Sequence, residues 1–170
     1  MRGEPLYSGA GTPFDWPLFN GYGRPPYASI DAGPFAIVAG PSGVAIGAFG
    51  WVNPDNGQVT NTQVAGAALG FVLPVVRLED PNVATWSRAN GFPQRVLRPG
   101  MGCVVAAIGE FMPVFPQGAV VGSQVYVDPT TGLPYTDSNG GAYIGTNWTA
   151  MRSCGARSRG RISSFVSPFN

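Results

Sequence analysis

Glycine and proline divide this chain into short pieces, and that division constrains the fold more than any other feature. The chain has 25 glycines and 17 prolines among 170 residues, and neither residue suits a helix interior. Between them stand short β-branched and aromatic runs, such as FAIVAG, GVAIGAFGWV, ALGFVLPVVRL, MGCVVAAIGEFMPVF, AVVGSQVYV and GAYIG. Runs of this kind separated by turn residues are typical of a sandwich or barrel. We predict an all-β protein, an antiparallel β-barrel or sandwich, with a jelly roll among its forms.

Disorder is the main alternative at this glycine and proline content. Hydrophobic residues make up 44% of the chain and aromatic residues 12%, which is more apolar surface than disordered segments carry. An ordered, turn-rich domain is therefore expected. One stretch departs from the strand pattern: in DPNVATWSRA, Asp80 could cap a short helical turn and Pro81 could take its first position.

Two segments repeat one turn pattern. VNPDNGQVT and VDPTTGLPYT each place Asx-Pro first, then two polar residues, then glycine. Asx and proline open a turn, and glycine supplies the positive φ that closes it. We predict hairpin loops of roughly three to five residues within 51–60 and 126–136, at equivalent corners of two sheets or half-barrels. Internal duplication and independent convergence on good turn chemistry both stay open.

Residues 1–31 differ from residues 32–170, which we assign to a single β domain. Prolines 5, 13, 17, 25 and 26 exclude a helix and disfavour a central strand. We interpret this segment as an extended N-terminal arm that contacts a partner or a sister subunit; an arm folded onto its own domain is the alternative. The arm residues predicted to make contacts are Tyr7, Phe14, Trp16, Phe19, Tyr22, Arg24 and Tyr27.

Charge is sparse and uneven. All ten basic residues are arginine, and the net charge of +1 gives no case for binding nucleic acid. No acidic residue follows Asp137, whereas four arginines cluster within RSCGARSRGR. We predict that Arg157 and Arg159 contact a partner surface; a solvated basic end is the alternative.

Residues suited to catalysis are missing or isolated. The chain has no histidine, and thus no histidine base and no common metal ligand. GPSGVAIG lacks the Lys-Ser/Thr of a phosphate-binding loop, and Asp55-Asn56-Gly57 lacks the other ligands of a calcium loop. Cys103 and Cys154 show no metal spacing and are expected to be buried thiols, with a disulfide between them as the alternative. We predict a protein that is not an enzyme and holds no metal or cofactor.

A membrane-spanning segment is not expected either. The uncharged stretch 32–54 is long enough to raise the question, but Pro34, Pro41 and several glycines interrupt it. A spanning helix needs about 20 mostly apolar residues without such breaks.

The order of these strands and turns resembles one family. GPFAIVAGPSGVAIGAFGWVNPDNGQVTN followed by GFVLPVV is similar to the core pattern of structural cement (capsid decoration) proteins of tailed bacteriophages. Downstream, GEFMPVFPQGAVVGSQVYVDPTTG resembles a hairpin of that family, and TNWT followed by GRIS resembles its terminal strands. These matches span roughly residues 33–166. One departure is that Leu73-Pro74-Val75 stands where the family pattern has an arginine soon after Gly-Phe-Val.

The resemblance implies a role. It implies a virion protein, made in the bacterial cytoplasm, that lies on the outer surface of the phage head and stabilises it. The implied partners are the major capsid protein and a second or third copy of this chain, as a homodimer or homotrimer. A different class of function is a carbohydrate-binding or host-attachment module, in which Trp16, Trp51, Trp86 or Trp148 stack on sugars. Trp51 and Trp148 lie in apolar strands, which instead favours a place in the core.

Overall fold

The structure is a computed structural model that describes residues 28–74, 81–89, 92–111, 113–151 and 161–163. Within these ranges short strands alternate with turns, as the spacing of glycine and proline dictates. The strands are β1 (Ala28–Ser29), β2 (Val38–Ala39), β3 (Val44–Ala45), β4 (Phe49–Val52), β5 (Gln58–Thr60), β6 (Ala68–Pro74), β7 (Ala84–Ala89), β8 (Phe92–Leu97), β9 (Cys103–Ile108), β10 (Glu110–Phe111), β11 (Gln124–Val127), β12 (Pro134–Tyr135), β13 (Ile144–Met151) and β14 (Arg161–Ser163). A 3-10 helix spans Asn139–Gly141.

The strands form three sheets. A six-stranded sheet has the order β1-β9-β6-β4-β5-β2, a five-stranded sheet has the order β10-β14-β13-β11-β12, and a three-stranded sheet has the order β3-β8-β7. The pairs are antiparallel except β2 and β5, which run parallel. This architecture confirms the prediction of an all-β barrel or sandwich.

The six-stranded sheet curls back on itself. Its last strand, β2, returns to the start of β9, where Val38 bridges Gly102. There the Ala39 amide donates to the Met101 carbonyl at 2.8 Å. The sheet thus becomes a half-barrel, and its edge strand β2 gains hydrogen-bond partners on its second side.

Alternation along the central strands places a hydrophobic core on each face of this sheet. In β4, Trp51 joins one core while its neighbour Val52 joins the other. The first core also takes Val44 and Leu97 from the three-stranded sheet. The second core takes residues from the five-stranded sheet, among them Val125, Trp148 and Ile162. The six-stranded sheet is therefore the middle layer, and one smaller sheet packs on each side.

Aromatic rings fill the second core. The rings of Phe71 and Phe111 stack with centroids 4.8 Å apart, and Phe49 meets Trp148 edge to face at 5.6 Å. Such contacts add about 0.5–1.5 kcal/mol per pair beyond the burial of area. They join strands of the six-stranded and five-stranded sheets, so the two sheets share one core.

The stretch 80–89, predicted to hold at most one short helical turn, is mostly strand, and Asp80 itself lies outside the described residues. Residues 81–83 form a turn, and β7 follows directly from Ala84. All six residues of β7 pair with β8, from Ala84 opposite Leu97 to Ala89 opposite Phe92. The β-branched and aromatic residues Thr85 and Trp86 favour a strand. The hydrogen bonds of a complete antiparallel pairing with β8 stabilise the strand more than a capping aspartate would stabilise a helical turn.

Both Asx-Pro segments form hairpin turns as predicted, and the second loop, 128–133, has six residues, one more than predicted. In the first, the Gly57 amide donates to the Asn53 carbonyl at 2.9 Å; in the second, the Gly132 amide donates to the Asp128 carbonyl at 2.9 Å. Each Asx side chain also accepts the amide two residues later. Gly57 has a φ of 70° and Gly132 a φ of 71°. One turn joins β4 to β5 inside the six-stranded sheet, and the other joins β11 to the edge strand β12 of the five-stranded sheet.

Candidate functional site

The residues predicted from sequence to contact partners lie outside the described ranges. These are Tyr7, Phe14, Trp16, Phe19, Tyr22, Arg24 and Tyr27 of the arm, and Arg157 and Arg159. The points where the chain leaves the described ranges are nevertheless defined. Residues 1–27 lead into β1, where Ala28 pairs with Ile108 and the Ile30 amide donates to the Val105 carbonyl at 2.7 Å. Residues 28–30 of the predicted arm thus lie against β9.

The segment that carries Arg157 and Arg159 is anchored at both ends. It follows Met151 and ends before Arg161, and these two residues are direct partners in the pairing of β13 with β14. The arginine-bearing segment therefore starts and finishes at one end of the five-stranded sheet.

An exposed apolar patch lies at that same end. Val120 and Val121 are 63% and 60% exposed, and Met151 is 37% exposed. Gly122, directly after Val121, donates its amide to the Ala150 carbonyl at 2.7 Å, and this bond holds the valine turn beside Met151. We call Val120, Val121 and Met151 the apolar patch. Contiguous exposed apolar surface is a mark of protein–protein contact sites.

The tryptophans divide between core and surface. Trp51 is 3% exposed and Trp148 is 4% exposed, which confirms the prediction that both belong to the core. Neither ring can stack on a sugar. Trp86 is 48% exposed, and the Arg95 guanidinium lies over its ring, 4.7 Å from the centroid. Trp16 lies outside the described residues.

The second Asx-Pro turn docks onto the six-stranded sheet. The Phe49 amide donates to the Gly132 carbonyl at 2.8 Å, and the Gln63 amide donates to the Pro129 carbonyl at 2.7 Å. The Thr62 hydroxyl donates to the Thr130 carbonyl at 3.2 Å. These bonds attach the five-stranded sheet to β4 and to the chain that follows β5.

Asn61 joins the third sheet to this junction. Its side-chain carbonyl accepts the Ala45 amide at 2.6 Å. Its side-chain amide donates to the Ala45 carbonyl at 3.4 Å and to the Phe49 carbonyl at 2.9 Å. The Asn61 side chain therefore pairs with both backbone groups of Ala45 at the edge of β3, as a neighbouring strand would, and it also bonds to β4. Nothing in the run QVTNTQV distinguishes this asparagine in the sequence.

A cleft of about 390 Å³ opens where the three sheets meet. We call it the polar cleft. Its described lining contains no charged side chain. The residues come from β3 and the turn before it, from β5 and the chain after it, from β8 and from the second Asx-Pro turn. They are Ser42, Gly43, Ala45, Thr60, Asn61, Thr62, Gln63, Val64, Gln94, Val96, Thr130 and Thr131. The cleft was not predicted from the sequence, because its walls are distant along the chain.

The described aspartates lie in turns, where they shape the backbone. Asp31, Asp128 and Asp137 each accept the backbone amide two residues later. Partial burial raises the pKa of Asp128, but hydrogen bonds from Thr130 and Thr131 outweigh this effect and hold the pKa below its ordinary value. Its negative charge is thus satisfied within the turn.

Cys103 is a free, buried thiol, and burial raises its pKa to about 12. A thiol of this kind stays protonated at neutral pH and is a poor nucleophile. Cys154, the partner in the alternative disulfide, lies outside the described residues.

The described part of the chain offers neither a metal site nor a membrane-spanning helix. No group of three or more acidic, cysteine or histidine side chains is placed to hold a metal ion. No helix there has the length and apolar character needed to span a membrane. Comparison with protein-family models, curated protein sequences and solved structures finds no match to this chain.

Proposed function

We propose that this chain is a non-enzymatic decoration protein of a bacteriophage head. It binds the outer capsid surface between subunits of the major capsid protein, acts as a homodimer or homotrimer, and stabilises the particle. The order of motifs along the sequence supports this role, as does a body of three sheets packed around two cores. Neither a metal, a cofactor nor nucleic acid is part of the proposal.

One observation supports this proposal most directly. The apolar patch includes Met151 and lies next to Arg161, and these two residues stand on either side of the arginine-bearing segment. Val121 and Met151 lie exposed beside the pairing of Met151 with Arg161. Protein interfaces are enriched in apolar side chains at the centre and in arginine at the strongest contacts. The capsid partner therefore presents an apolar surface edged by acidic groups.

Binding to phage heads assembled without this protein tests the proposal. We expect the wild-type chain to co-sediment with such heads and to raise the temperature at which they rupture. Val121→Asp places a charge in the centre of the contact, where desolvation without a partner is costly, and we expect at least a tenfold loss of affinity.

Gln117→Asp is the matched control, because Gln117 is also exposed but is not part of the apolar patch. Its affinity should stay within about twofold of wild type. Heads that neither bind nor gain stability with the wild-type protein would refute the proposed function. Equal losses in both variants would refute the patch as the contact.

A further inference from the structure

We propose that the polar cleft is a binding site for a neutral saccharide. This inference rests on the side chains around the cleft and not on the proposed capsid role, and it involves none of the tryptophans. The volume of about 390 Å³ falls within the range of ligand sites in proteins, about 300–1,000 Å³.

The floor of the cleft is preorganised. The Asn61 side chain is hydrogen-bonded to the backbone of Ala45 and Phe49. The Thr62 hydroxyl donates to the Thr130 carbonyl. The second Asx-Pro turn is fixed in place by backbone bonds from Phe49 and Gln63. A ligand therefore meets a wall that does not need to be ordered on binding, which lowers the entropic cost.

The rim carries unused hydrogen-bonding groups. Within the described part of the chain, the side chains of Ser42, Gln63 and Gln94 make no hydrogen bond to the protein. Each amide offers donors and an acceptor, and the serine hydroxyl offers both functions. Sugar hydroxyls also act as donor and acceptor at once, so these groups match a row of hydroxyls.

The charge of the lining selects a neutral ligand. No described lining side chain is charged, and the nearby Asp128 carboxylate already accepts the Thr130 amide and hydroxyl, at 2.8 and 2.7 Å. An ionic ligand would lose its hydration without gaining a counter-charge. Val64 and Val96 add aliphatic surface for the C–H faces of a sugar ring.

A peptide fits the cleft less well. Peptides commonly bind by adding a strand to a free sheet edge, and β3 is an edge strand of the three-stranded sheet. Asn61 already pairs with both backbone groups of Ala45 in that strand. The edge facing the cleft is thus occupied by a side chain.

A glycan array followed by titration calorimetry tests this inference. We expect the labelled full-length protein to bind one or more neutral oligosaccharides and to prefer them over sialylated or sulfated glycans. Gln63→Met and Gln94→Met keep side-chain volume and remove the amide. Each should weaken binding of the best neutral oligosaccharide about tenfold, the effect expected from one lost hydrogen bond in a cleft.

Gln117→Met is the control, because Gln117 is an exposed glutamine that does not line the cleft, and it should bind as wild type does. In 1H–15N spectra of the wild-type protein, the side-chain amide signals of Gln63 and Gln94 should shift on titration. The inference is overturned if no neutral glycan binds, if acidic glycans or peptides bind in preference, or if binding survives both rim substitutions.

Discussion

Replacing Gly132 by alanine tests whether the second Asx-Pro turn holds two sheets together. Gly132 has a φ of 71°, a conformation that costs a residue with a Cβ about 1 kcal/mol or more. A Cβ there would also stand far inside contact distance of the Phe49 carbonyl oxygen, a backbone atom that cannot rotate away. The turn must then move off β4 and lose the 2.8 Å hydrogen bond from the Phe49 amide.

Loss of that bond adds to the conformational cost. Phe49 is buried in the second core, and an unpaired buried amide costs about 1–3 kcal/mol. We therefore expect Gly132→Ala to lower the free energy of unfolding by about 2–4 kcal/mol. In a chain of this length that corresponds to a fall in Tm of roughly 5–15 °C. Urea denaturation followed by tryptophan fluorescence, together with calorimetry, measures both quantities.

Gly122→Ala separates the two contributions. Gly122 has a φ of 84°, and no atom lies within 4 Å of the position its Cβ would take. This control should lose only the conformational part, about 1 kcal/mol. If the two variants lose the same free energy of unfolding, within about 0.5 kcal/mol, docking of the turn on β4 contributes nothing and the reasoning is refuted.

Two further predictions concern titratable groups. Because the folded-state pKa of Asp128 is lowered, its stabilising effect is present above the ordinary carboxyl pKa of about 4 and is lost as pH falls through the lower, folded-state value. Asp128→Asn, which copies Asn53 of the first turn, should keep Tm near pH 7 within a few degrees and lose less Tm between about pH 4 and 2; parallel pH profiles for the two proteins would contradict this. Cys103, with a pKa raised to about 12, should resist iodoacetamide at about pH 8 in the folded protein and react in urea, as peptide mass spectrometry would detect; equal labelling in both states would show that the thiol is accessible.

The turns could be predicted because their chemistry is local. Asn53 and Asp128 each have proline next and glycine four positions later, and the hydrogen bonds that form the turn lie within that span. The core positions of Trp51 and Trp148 could be predicted for a similar reason. Each lies in an apolar strand, and large apolar side chains in such strands are mostly buried; in β4 all four residues are buried.

Features that depend on distant partners could not be predicted. The sequence around Asp80 carries a helix-start signal, but Ala84–Ala89 instead pairs with Phe92–Leu97. The valines of AVVG read as the start of a strand, yet they lie in an exposed turn and β11 begins at Gln124. Nothing nearby in the chain indicates whether another layer covers Val120 and Val121.

The polar cleft shows why stability and ligand binding must be tested at different residues. Its floor consists of the contacts that join the sheets, with Asn61 linking β3 to β4 and the turn at Gly132 bonded to Phe49. A substitution in the floor would change the fold and the cleft together, so a loss of binding there would carry no information about the ligand. Gln63 and Gln94 bear no internal side-chain hydrogen bond within the described residues, and their replacement leaves the junction intact. Only changes at the rim can therefore separate a recognition role from a structural one.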